Sequence, residues 1–130
     1  MPLAELVPPL MRHAAAIAVA ALAVPAWAGT ADVVAVTIEP DGGDGYQVSA
    51  TVRHADEGWD HYANAFEVLG PDGTVLGTRT LHHPHVDEQP FTRSLRLSIP
   101  AGIDVVTVRA VDSVHGTGGA AMTVRVPSDQ

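Results

Sequence analysis

The sequence predicts an all-β protein, an immunoglobulin- or fibronectin-like antiparallel β-sandwich of about seven strands. Three observations carry that expectation. From Asp32 onward the chain runs in short segments that alternate apolar and polar residues, Gly, Pro and Asp separate those segments, and no stretch sustains a helical period.

VVAVTIEP (Val33 to Pro40) sets Val34, Val36 and Ile38 on one face, and the turn DGGDG (Asp41 to Gly45) leads into YQVSATV, where Tyr46, Val48, Ala50 and Val52 share a face. YANAFEVLG (Tyr62 to Gly70) and TVLGTRTL (Thr74 to Leu81) form a hairpin across Pro71, Asp72 and Gly73. FTRSLRLSIP (Phe91 to Pro100) turns Leu95, Leu97 and Ile99 inward. VVTVRAV (Val105 to Val111) and AAMTVRV (Ala120 to Val126) complete the set, with Val106, Val108 and Ala110, then Met122, Val124 and Val126, on their apolar faces. Trp59, just ahead of the third segment, is expected in the core, where such sandwiches often seat a tryptophan.

Upstream, Met11, Arg12 and His13 precede the apolar run Ala14 to Val24 and then Pro25 to Ala28. A basic start, an apolar run too short to span a bilayer and the small residues Ala26 and Ala28 make a secretory signal peptide, residues 1–28, cut between Ala28 and Gly29. A buried N-terminal helix is the competing reading, and the A-x-A pattern favours processing. The ten residues before Met11 hold Glu5 and no basic residue, so Met11 is an alternative start. The expectation is a single exported domain, residues 29–130, periplasmic or secreted, with no membrane insertion.

Composition narrows the partners. Seven arginines and no lysine stand against 15 acidic residues, a formal charge of -8 that leaves no basic patch for nucleic acid or an anionic membrane. The 130 residues hold no cysteine, which excludes a disulfide framework, a thiolate metal site, a cysteine nucleophile and lipid attachment at an N-terminal cysteine. With 46% hydrophobic residues the chain can bury a core.

Strand parity sorts the connections. The second-to-third, fourth-to-fifth and sixth-to-seventh connections emerge at one pole. They are HADEGWDH (His54 to His61), HHPHVDEQP (His82 to Pro90) and SVHGTG (Ser113 to Gly118), and they carry all the histidines after residue 28 together with Asp56, Glu57, Asp60, Asp87 and Glu88. Pro84 extends the backbone between His83 and His85, so these two imidazoles are the expected metal ligands, with His61 or His115 arriving from neighbouring loops. Asp87 and Glu88 would orient an imidazole, and Arg93 would anchor the loop to a carboxylate. Imidazole with carboxylate suits copper(II), zinc or nickel. Structural loop histidines and a surface whose imidazoles repel on protonation remain the competing readings.

Other chemistries fit less well. Asp112, Ser113 and His115 share one short loop and give no relay geometry. Adjacent carboxylates such as Asp56 and Glu57 diverge, which argues against a glycosidase pair. GTGG (Gly116 to Gly119) has no following lysine or helix and is no phosphate loop. A copper brace uses an N-terminal histidine, whereas the predicted terminus is Gly29.

At WDHYAN (Trp59 to Asn64), LHHPHVDEQPFTRSL (Leu81 to Leu95) and DSVHG (Asp112 to Gly116) the chain resembles an uncharacterised family of small exported bacterial β-rich proteins. The resemblance implies a secreted β-domain and no activity, cofactor or catalytic residue. The chain departs from periplasmic copper carriers in having no methionine-rich motif.

The expected function is non-catalytic binding of a divalent transition metal through loop histidines, for carriage or sensing. The alternatives are an interaction module that meets a periplasmic protein partner with the same loops, Trp59 and Tyr62 included, and a metal-assisted hydrolase. Oligomeric state is left open.

Overall fold

A computed structural model describes residues 18–21 and 29–128. It contains eight strands: β1 (Ala18–Ala21), β2 (Asp32–Pro40), β3 (Gly45–Arg53), β4 (Ala63–Leu69), β5 (Val75–Thr80), β6 (Phe91–Ser98), β7 (Val105–Asp112) and β8 (Met122–Arg125). No helix occurs among the described residues. Two four-stranded sheets, ordered β1-β2-β3-β6 and β5-β4-β7-β8, are antiparallel throughout. The seven segments predicted from alternation are β2 to β8, and they form a β-sandwich.

The period of two explains the core. Val48, Ala50 and Val52 of β3, Phe66 and Val68 of β4, Val106, Val108 and Ala110 of β7, and Met122 and Val124 of β8 are buried between the sheets, with Phe91 and Ile99 closing the two ends of β6. The hairpin forms as expected, with the Gly70 amide donating to the Thr74 carbonyl at 2.8 Å and Asp72 accepting from the Thr74 amide at 3.0 Å. In β2 the inward residue near the start is Val33, not Val34, because a register shift between Val33 and Ala35 reverses the alternation there.

Of the predicted leader, only Ala18–Ala21 is described, pairing as β1 with Ala35 to Ile38 of β2. The rest of residues 1–28, with the expected cleavage site, lies outside the described residues.

The start of β2 is held by the segment that leads into β8 of the opposite sheet. The Val33 amide donates to the Ala120 carbonyl at 2.8 Å, and the Ala120 amide donates to Asp32 Oδ1 at 2.7 Å. A Cβ at Gly119 would drive into the Ala31 carbonyl oxygen. The loops 54–62, 81–90 and 113–121 therefore share one pole with residues 29–31.

Candidate metal centre

The inward alternation of two strands continues past their apolar residues into that pole. Val48, Ala50 and Val52 of β3 lead on to His54 and Asp56, and Val106, Val108 and Ala110 of β7 lead on to Asp112. His54, Asp56 and Asp112 are 2%, 6% and 2% exposed. Burying ionisable groups is costly unless each is partnered, so their partners define the site.

Two imidazoles converge on one carboxylate oxygen. The His54 Nε2 and the His61 Nε2 both meet Asp112 Oδ2, the latter at 2.8 Å. The opposite nitrogen of each ring faces a second carboxylate: His54 Nδ1 stands 2.5 Å from Asp56 Oδ1, and His61 Nδ1 stands 2.5 Å from Glu57 Oε1. The rings meet edge to face with centroids 4.9 Å apart. One ligand atom from each of His54, His61 and Asp112 lies within 4.8 Å of the others. Donors in a coordination shell of about 2.0–2.2 Å radius stand roughly 3 Å apart, so small movements would admit an ion.

Backbone amides hold the carboxylates in place. Asp112 Oδ1 accepts from the amides of Val114 and His115, both at 2.7 Å. Asp56 accepts from the Ala63 amide at 3.1 Å and from the His85 amide at 2.6 Å, which ties the 54–62 loop to the 81–90 loop. Burial opposes the charge on Asp112, yet the His115 and Val114 amides and the two rings outweigh it and hold its pKa at about 2. The pKa of His61 is raised above its ordinary value, first by Glu57 and then by Asp112. Asp112 therefore stays anionic at neutral pH, as a ligand must.

Two further groups border the cluster. The His115 ring lies 5.0 Å from that of His61, with its Nδ1 3.3 Å from Asp112 Oδ1. The carbonyl oxygen of Gly29 lies 3.4 Å from His61 Nε2.

Of the four histidines that the sequence singles out, His61 lies in the cluster and His115 beside it. His83 and His85 do not belong to the His54, His61 and Asp112 group, although His85 Nδ1 stands 4.0 Å from Asp56 Oδ2. The His85 ring stacks on Phe91 at 3.8 Å, and Arg93 Nη2 lies 3.1 Å from its Nε2. Exposed His83 leans on Trp59 at 5.9 Å. Arg93 also donates to Glu88 at 3.2 Å, the loop anchor expected of it, while Asp87 is exposed in the same loop. Trp59 is 66% exposed rather than core: it lies in the Gly58 to His61 turn and packs edge-on against Tyr62. Ser113 Oγ accepts from the Tyr62 amide at 3.0 Å and is not in contact with His115 through any described hydrogen bond.

Sequence reasoning did not select His54 and Asp112. The signal was there: each falls two residues beyond the last apolar residue of an inward row, at a position of core parity. The alternating segments end at Val52 and Val111, one residue short of the strands' Arg53 and Asp112, which leaves His54 and Asp112 among the loop residues.

No protein-family profile matches the chain, and no solved structure matches it. A protein of Halomicrobium mukohataei named "Putative lipoprotein" is 43% identical over 98 residues, which are 75% of this chain and 48% of that protein. This chain thus spans about half the length of that relative, and the match is consistent with an uncharacterised family.

Proposed function

We propose that this protein is an exported, non-catalytic binder of a divalent transition metal, held by His54 Nε2, His61 Nε2 and the Asp112 carboxylate. The observation that carries the reading is the pairing of each ring's Nδ1 with its own carboxylate, Asp56 or Glu57. That outer partner fixes ring orientation and leaves Nε2 to the ion, which is the usual arrangement around a metal-bound imidazole. Two imidazoles and a carboxylate suit copper(II) or zinc. The leader-like residues 11–28 and the relative's name support export. The character proposed as shared with that relative is export.

Calorimetric titration with copper(II) and zinc tests the reading. Wild type should bind one equivalent, Asp112→Asn and His61→Ala should lose it, and the His83→Ala/His85→Ala double variant should keep it. Binding abolished only in the double variant would move the site to the 81–90 loop and overturn this assignment.

A second reading rests on a different observation. Trp59, Val86 and Val114 are 66%, 56% and 59% exposed, and all lie in the loops of the histidine pole. We propose that they form the contact with a protein partner that exchanges the ion. Replacing Trp59 with alanine should weaken partner capture without changing metal affinity.

A further inference from the structure

The histidine cluster lies against Gly29, which is also the residue that the leader reading makes the first of the processed chain. We propose that cleavage after Ala28 completes the site: the free α-amine of Gly29 becomes a nitrogen ligand of the metal bound by His54, His61 and Asp112. This inference rests on the metal reading above and on the predicted cleavage.

Two independent observations place Gly29 beside the cluster, within reach of which its amine would stand. First, Gly29 borders the cluster: its carbonyl oxygen is 3.4 Å from His61 Nε2, and the His115 ring beside the cluster stands so close to its α-carbon that an ideal Cβ built there would lie 2.8 Å from His115 Cε1. The α-nitrogen is one bond, about 1.46 Å, from that same carbon. Gly29 also has φ +84, a backbone state that favours glycine, and any side chain there would meet the His115 ring. Second, the position of Gly29 is set by residues that remain after cleavage. Ala31 is buried, Asp32 accepts from the Ala120 amide, Val33 donates to the Ala120 carbonyl, and Gly119 packs on the Ala31 backbone. The new terminus is therefore two residues from a fixed anchor.

The chemistry suits the role. In the unprocessed chain the Gly29 nitrogen is a peptide amide, a poor donor to a metal ion. Hydrolysis of the Ala28–Gly29 bond turns it into an amine with an ordinary pKa of about 7.7–8.0, so an incoming ion displaces its proton to solvent near neutral pH far more readily than from a lysine. The donor set becomes two imidazoles, one carboxylate and one amine. Metal loading would then be favoured in protein that has been exported and cut. This is not the histidine brace excluded from the sequence, since the terminal residue supplies its amine alone.

The test uses the full chain expressed with export and purified from the periplasm, with intact mass giving the first residue. A matched variant carries one serine inserted after Ala28, which leaves the fold from Gly29 onward intact but moves the amine away. Copper(II) is titrated into both, and metal-free melting temperatures confirm that both are folded. The expected result is a processed mass beginning at Gly29 and a loss of copper(II) affinity in the insertion variant of about 10- to 100-fold. Wild-type protein labelled with ¹⁵N-glycine supplies a readout that needs no variant: its copper(II) paramagnetic resonance spectrum should change in nitrogen coupling relative to unlabelled protein. Equal affinity in the two proteins with no isotope effect overturns the amine ligand and leaves the metal site standing, as does a processed terminus other than Gly29. Absence of binding in both overturns the metal reading and this inference with it.

Discussion

Asp112 is the residue on which the cluster turns, because its carboxylate accepts from two amides and two imidazoles while 2% exposed. Asp112→Asn keeps the shape and sets an NH2 against two ring nitrogens, so we expect a loss of roughly 1–3 kcal/mol, read as a lower urea midpoint, as well as lost metal binding. Two histidines at this pole titrate in opposite directions. His85 has its pKa lowered from 6.5, first by burial and then by the Arg93 guanidinium, so its contribution to stability is complete above pH 6.5 and is lost as pH falls toward its folded value. His61 has its pKa raised, so its contribution is complete below pH 6.5 and is lost as pH rises through its folded value. With chelator present, stability from these two groups should peak near pH 6.5. Melting curves across pH should show His85→Gln flattening the acid limb and His61→Gln flattening the alkaline limb; the reverse assignment would contradict both signs.

The strands show how much was legible and where legibility stopped. Alternation located seven strands, and strand parity brought the histidine loops to one pole, because side-chain direction in a strand depends only on odd or even position. His54 and Asp112 were missed because a polar residue at the end of an inward row looks like loop, although its parity carries it into the sandwich. His83 and His85 looked like a chelating pair because Pro84 extends the backbone between them, but spacing cannot show that Phe91 stacks one ring and Arg93 engages it. The bulge near Val33 is likewise invisible to a strict period of two. The junction of β2 with the 113–121 loop leads to a further expectation. Gly119→Ala must push apart Ala31 and Gly119, so it should destabilise by about 1–3 kcal/mol, the usual cost of overpacking, and weaken metal binding by displacing residues 29–31. Thermal melts together with titration check it. Gly118→Ala, whose Cβ would meet only Thr30 Cγ2 at 4.0 Å, is the matched control and should do neither.

At the scale of the whole molecule, the buried ionisable residues among those described, Asp32, His54, Asp56 and Asp112, all lie at one end of a core that is apolar over the rest of its described length. They belong to the same pole as the loops, so the sandwich acts as a rigid frame that presents a polar end. Ala63, His85, Val114 and His115 supply backbone amides to the two carboxylates, and the carboxylates orient the rings, so we expect the frame to build that end before an ion binds. A site organised in this way differs from one that folds around its metal, and denaturant titration separates the two. Binding to a preformed site raises the stability of the folded state by mass action, about 2.7 kcal/mol when free metal is 100 times Kd, without changing the surface exposed on unfolding. The urea midpoint should therefore rise on adding copper(II) or zinc while the slope m stays constant, because m follows exposed area rather than stability. A slope that increases with metal would mean that the three loops are unfolded before binding. In that case the amide bonds to Asp56 and Asp112 would be consequences of the ion, and the metal would belong to the folding of this pole rather than to a frame already built.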